Sequence, residues 1–268
     1  MRVAHALGVF KIGLLNGFKQ TMAEKIIFLG SFLVYATIML LYAGIIKLIP
    51  DGDLVKHGFT HAQMIWYLGI TEYMLFTCTS WGFKEVQNEF WDGRSDFALL
   101  RPFPASLTRV AIWSGESLAR ALVLIVPSLA VLTALTGTVE LSPLGLLGVI
   151  ASMPMSILMM LCAAYMIGAS CLWFVQAEPA FWIWQKSIFL LGPMVWPMAF
   201  YPLWLKGVMW ASPFPGILRQ AGQWAIGHSL AEIAFGFAHQ LIWCALLFLI
   251  MRRFDSVVLR RVQTGGGG

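Results

Sequence analysis

The sequence predicts an all-α integral membrane protein: six transmembrane helices, an N-terminal interfacial amphipathic helix, and outer re-entrant helices before the last span. Three observations carry this. Hydrophobic residues make up 59% of the 268 and charged residues only 12%. A soluble domain of this size holds about twice that charged share. Mean hydropathy is +0.76. Apolar runs recur at lengths near 20 residues, which about 30 Å of hydrocarbon demands at about 1.5 Å per residue. Twelve Trp and nineteen Phe suit lipid interfaces. The net charge of +5 is what basic cytoplasmic loops produce, and it calls for no nucleic-acid partner.

Residues 1–22 come first. Val3, Leu7, Phe10, Leu14 and Phe18 fall on one helical face, with Arg2, His5, Asn16 and Lys19 elsewhere on the wheel. That pattern predicts a helix lying in the membrane interface. Lys11 breaks the apolar run and no A-x-A-like site follows, which argues against a cleaved signal peptide. The expected spans are Ile26–Ile46, Gln63–Phe83, Leu118–Thr136, Leu144–Val175, Ala180–Leu203 and Glu232–Met251. Thr21 with Glu24, Thr60 with Gln63, and Ser229 with Glu232 each fit the capping box, which satisfies orphan amides at a helix start. Ser142-Pro143 and Glu178-Pro179 place proline in a first turn, where its missing N–H costs nothing. Pro193, Pro197, Pro202, Pro213 and Pro215 rule out a continuous helix through 193–228. A fifth span that kinks or stops early, followed by short helices dipping into the outer leaflet, fits them. Residues 1–263 thus read as one transmembrane domain, and 264–268 as an added tail.

Lys and Arg set the expected orientation. With the N-terminus inside, the cytoplasmic side collects Arg2, Lys11, Lys19, Lys25, Lys84, Arg94, Arg101, Arg109, Arg252, Arg253, Arg260 and Arg261; the outside receives Lys47, Lys56, Lys206 and Arg219. Both termini are then cytoplasmic by the positive-inside rule, and the loop over 84–109 faces the cytoplasm.

Charges inside spans are costly and usually face a bundle interior or a wet cavity. Glu72 in the second span is either a contact on a translocation path or a hydrogen-bonded or protonated glutamate at a helix interface. Glu116 and Arg120, one turn apart with the acid first, fit an interfacial ion pair better than a substrate site. His57 and His61, with Asp51 and Asp53 nearby, lack a well-placed third ligand, so no metal site is assigned. Cys78, Cys162, Cys171 and Cys244 all sit in apolar segments and form no C-x-x-C pair. Ala164 and Gly168 offer a modest cue for close helix packing. No nucleotide-binding or hydrolase signature appears.

The densest charge lies in the loop between spans two and three: Glu85, Glu89, Asp92, Arg94, Asp96 and Arg101, interleaved with Phe90, Trp91, Phe97, Leu99 and Leu100. Glu85, Glu89 and Asp92 recur at helical spacing, Gly93 breaks the helix, and Arg101-Pro102-Phe103-Pro104 forces an extended exit. Such a short helix suits docking on a soluble partner. The run Glu89, Gly93, Asp96, Leu99, Leu100, Arg101, Pro102 resembles the permease subunits of bacterial type-2 ATP-binding-cassette exporters, in the branch whose loop reads acid, glycine, acid, Leu-Leu-Arg-Pro. The resemblance implies an inner-membrane export permease that works with a second, identical or related permease. It also implies a partner ATPase dimer holding ATP and Mg, with no cofactor in this chain. By the same resemblance, Glu85, Glu89 and Asp92 meet polar groups on the ATPase, Phe90 and Trp91 pack there, and Arg101-Pro102 sets the loop's re-entry. Hydrophobic cations such as viologens are one implied cargo; lipid or glycan cargo, or a membrane-embedded lipid-modifying enzyme, are alternatives.

Overall fold

The computed structural model describes residues 3–78, 81–93, 103–227 and 229–265. Of the loop motif, Asp96, Leu99, Leu100, Arg101 and Pro102 lie outside the described residues. Every regular element among the described residues is helical. In order they are α1 (Val3–Ala23), α2 (Lys25–Lys47), α3 (Asp51–Lys56), α4 (His61–Thr77), α5 (Gly82–Trp91), α6 (Ala105–Thr136) and α7 (Pro143–Ala169). There follow α8 (Glu178–Leu191), α9 (Leu203–Trp210), α10 (Phe214–Ile217), α11 (Arg219–Ala225) and α12 (Leu230–Gly265).

Among the described residues, four stretches are long and apolar enough to cross a membrane: Phe28–Lys47, Ala105–Thr136, Pro143–Leu172 and Leu230–Val262. The other two expected spans come out shorter. The second ends at Thr77, with Cys78 extended (ψ 136°), and Gly82 and Phe83 belong to α5 instead. Its helix, α4, has 17 residues. The fifth, α8, has 14 residues, about 21 Å of rise, and stops where Gly192-Pro193 begins. Two spans are longer than expected. Helix α6 starts thirteen positions before Leu118, directly after Pro104, and runs for 32 residues. Helix α12 continues past Met251 for 36 residues in all. Charged residues end an apolar run, but arginines are good helix formers and do not end a helix.

The capping expectations divide. Thr60 and Gln63 form a reciprocal capping box, Ser229 and Glu232 exchange the same bonds, and Ser142 Oγ accepts from Gly145 N. Thr21 instead lies inside α1, and the break falls at Glu24 with no side-chain cap.

Helix α1 lies along α6, and glycine sets the contact. A Cβ at Gly17 would come 2.0 Å from Ile112 O, and one at Gly115 1.9 Å from Leu14 O. The packed stripe therefore runs through Gly13, Gly17 and Thr21, while Leu7, on the expected apolar face, is 65% exposed. Helix α4 occupies the centre, packed by α2, α6 and α11. Every residue from Met64 to Met74 is buried. Protein surrounds it, so it can carry Tyr67, Thr71, Glu72 and Tyr73 on all sides.

Residues 193–227 fold back into the bundle. Gly216 O accepts from Ser156 Oγ (3.2 Å) and Gln240 Nε2 (2.8 Å), about three and a half turns into α7. Ala225 O accepts from Ser142 N, the N-cap of the same helix. The chain enters deep at α10 and returns along α11 to the end where α7 and α12 begin. Trp224 fills the gap there, with Gly145 against its carbonyl and Gly148 and Gly236 against its ring.

Candidate coupling site at the loop end

Helix α5 is held on the opposite end of the bundle. Its inner face is Gly82, Phe83, Val86 and Gln87, all buried. Gly82 lies flat on the Trp113 ring, where a Cβ would be 2.7 Å from ring carbons. Phe83 stacks on Phe181 with centroids 4.4 Å apart. Gly168 admits Phe83 and Val86, so the Ala164/Gly168 spacing serves this contact. Gln87 Oε1 accepts from Ala177 N at 2.6 Å, and Lys84 lies 3.9 Å from Glu178. Three tertiary elements, Trp113 of α6, the end of α7 and the start of α8, thus seat the short helix. Gly93 follows with φ +67°, a left-handed conformation that favours glycine.

The acidic face turns partly inward. Arg109 in α6 pairs with Glu89 and lies 3.5 Å from Glu85. Trp113 Nε1 donates to the same Glu85 oxygen at 3.1 Å. Glu85 keeps about half of its side chain exposed and Glu89 about a quarter. Trp91 is 53% exposed, Phe90 is half-buried, and Asp92 is exposed. Sequence reasoning counted Arg109 only as a loop charge. Placing α6's start at Leu118 hid that Arg109 stands on a helix facing α5.

A second polar knot was missed entirely. Asp255 in α12 is buried at 8% exposure. It accepts from Tyr165 OH of α7 at 2.7 Å, from Ser106 Oγ at the start of α6, and from Arg252. Arg252 also reaches Ser106 Oγ at 3.2 Å. The spacing of Arg252 and Asp255, i and i+3 on one helix, was the available signal. It lay beyond the expected end of the last span.

The three charges weighed above as path contacts, Glu72, Glu116 and Arg120, are placed as follows. Glu72 is 2% exposed and within electrostatic reach of Tyr35 and Tyr42 of α2. Tyr73 OH donates to Ala121 O at 2.8 Å, which brings this turn of α4 level with the turn of α6 carrying Arg120. Glu116 and Arg120 are each half-buried, and Arg120 Nε is buried with no hydrogen-bond partner among the described residues. The two loop histidines take separate contacts: His61 bridges Asp51 and Ile49 O, and His57 lies 4.2 Å from the Phe200 ring.

What the geometry can do is mechanical. A short amphipathic helix sits across the ends of α6, α7 and α8, so a push on it reaches several helices at once. Comparison with curated proteins yields no match. A family model described as ABC-2 family transporter protein matches residues 32–266, from within α2 to the end of α12, and by that match the chain belongs to the ABC-2 family of transporter proteins.

Proposed function

We propose that this chain is the permease subunit of an exporter of the bacterial inner membrane, with both termini cytoplasmic. It forms a translocation path with a second, related or identical permease and is driven by a separate ATPase dimer that binds ATP and Mg. The family supports a transporter that associates with an ATP-binding-cassette ATPase. The finer reading rests chiefly on one observation. Helix α5 buries Phe83, Val86 and Gln87 in its own chain while its far end presents Trp91 outward.

In this reading α5 is the lever. Trp91 and Asp92, with the motif residues Asp96, Leu99 and Leu100, meet the ATPase, Phe90 backs Trp91, and Arg101-Pro102 sets the loop's re-entry. Glu85 and Glu89 keep a role at that surface, but their ties to Arg109 also carry motion into α6. The re-entrant segment 193–228 belongs to the outer side. Hydrophobic cations suit Glu72 electrostatically.

The test is co-purification from the native source. Trp91→Asp puts a charge where an aromatic anchor packs. It should release an ATPase that the wild-type permease retains, with thermal melting of the permease unchanged. Retention of the ATPase by this variant would remove Trp91 from the interface. No ATPase with the wild type would remove the exporter reading.

A further inference from the structure

A cleft of about 310 Å³ opens between α9, α11 and the first turns of α12, lined by Trp210, Arg219, Gln223, Trp224, Glu232 and Phe235. It lies at the small end of ligand-sized clefts, at the end of the bundle away from α5. Two full charges of opposite sign share it. The Arg219 guanidinium stacks 4.9 Å over the Trp210 ring, its Nη1 donates to Gln220 Oε1 at 3.1 Å, and its Nε is buried with no hydrogen-bond partner among the described residues. Glu232 sits in the first turn of α12 and accepts from Ser229 N and Oγ through Oε2. The two are within electrostatic reach of each other.

We infer that this cleft binds the zwitterionic headgroup of a phospholipid, phosphate to Arg219 and ammonium to Glu232. Three features argue for it. A guanidinium fork matches phosphate oxygens, and a carboxylate matches an ammonium. Among the described lining residues there is one charge of each sign, which favours a neutral zwitterion over an anionic headgroup. The elements that form it are those of a lipid boundary: Leu203 and Trp204 of α9 and Leu230 and Phe235 of α12 are each more than 60% exposed, and the 33-residue apolar stretch of α12 begins there. Aromatic side chains gather at headgroup depth, and a charge in a first helical turn stands at that depth. A headgroup exchanges into the Arg219–Glu232 pair rather than filling an empty site. Placing the cleft in the outer leaflet rests on the orientation proposed above, whereas its chemistry does not.

The test uses the full-length permease alone, so a missing ATPase leaves its outcome untouched. Permease in mild detergent is exposed to dioleoyl phosphatidylethanolamine or phosphatidylglycerol, and retained lipid is counted by native mass spectrometry. The wild type should hold the zwitterion about fivefold better, the scale of one partly exposed ion pair. Glu232→Gln keeps the capping acceptor and should erase that preference with thermal melting unchanged. Arg219→Lys keeps the charge but loses the fork and the stack, and should weaken retention of both lipids. Protection from melting by soluble phosphoethanolamine, lost in Glu232→Gln, would support the site with a soluble source; protection by the diacyl lipid alone would support the membrane source. Equal retention of both lipids by the wild type would overturn the inference, leaving Arg219 and Glu232 as a pair that only neutralises itself. An unchanged preference in Glu232→Gln would do the same.

Discussion

The two ends of this bundle share close glycine contacts and differ in the charged bonds added to them. At the end away from α5, glycines admit neighbouring backbone and side chains: Gly145 against the Trp224 carbonyl, Gly222 against Tyr67 and Thr71, Gly236 against Gln220 and Trp224. At the loop end, α5, α6, α7 and α12 are joined by ion pairs and charge-assisted hydrogen bonds through Arg109 and Asp255. Close-packed contacts have a single fit and resist motion. Directional polar contacts can break and re-form at modest cost. The difference teaches that the end expected to receive a mechanical input is also the end where exchangeable charged bonds supplement the packing.

The largest effect should follow from filling a glycine gap. A Cβ at Gly145 would lie 1.7 Å from Trp224 O, a backbone atom that cannot rotate away. Gly145→Ala should cost about 3 kcal/mol, near the top of what overpacking costs, read as a loss of folded permease in detergent. Gly52→Ala, with nothing within 4 Å of the added carbon, is the control. A mild Gly145→Ala would show that the end away from α5 is looser than its contacts imply, and the contrast between ends would fail.

Next comes Asp255. Asp255→Ala removes the acceptor of three donors on three helices and should cost about 2 kcal/mol, typical of hydrogen bonds to a charged group. Asp255→Asn keeps one acceptor oxygen and should cost less. Both are read by thermal melting. An Asp255→Asn variant as stable as the wild type would mean that the charge contributes nothing, and no cost for either variant would mean that the loop end is held by packing alone.

How much of this was legible in the sequence follows from what each signal measures. Apolar runs measure lipid exposure, so they found α2, α7 and the apolar parts of α6 and α12. They set false ends where charge begins, at Leu118 and Met251, because charge ends an apolar run while the helices carrying Arg109 and Asp255 continue through it. Capping boxes depend on local backbone alone, and those at Thr60 and Ser229 held. At Thr21 the same residues occur within a helix, where packing against α6 leaves that side chain 5% exposed. The prolines of 193–228 announced broken helix, but no local signal records the return of Gly216 to Ser156 and Gln240. At the coupling site the residue types of α5 were readable, while their partner Arg109 was not, since partners across helices leave no mark at short spacing.

A smaller effect on stability, though a sharper one on function, is expected at Arg109. Arg109→Glu breaks the pairs with Glu85 and Glu89, whose side chains are partly exposed, so the stability cost should stay near 1 kcal/mol. Substrate-stimulated ATP hydrolysis in the reconstituted complex should fall about tenfold, an energy of roughly 1.4 kcal/mol, while the ATPase still co-purifies. Adding Glu89→Arg restores opposite charges and should recover part of that loss, as coupled neighbours do. A double variant no better than the single one would separate α5 from α6 and leave packing on Phe181 and Gly168 as the route.

The smallest structural effect belongs to Glu72. Glutamine keeps its shape and its capacity to accept a hydrogen bond, so Glu72→Gln should change melting by less than about 1 kcal/mol. The side chain is 2% exposed between α2 and α4, so a substrate reaches it only if those helices part. That makes the variant a probe of motion transmitted from the loop end to the centre. Export of a hydrophobic cation should fall while export of a neutral analogue and ATPase association stay unchanged. Equal export of both by the variant would return Glu72 to a purely structural place in α4. The moving region would then have to lie elsewhere than the α2–α4 seam, and the level shared by Tyr73 and Ala121 would be a fixed joint between the two ends.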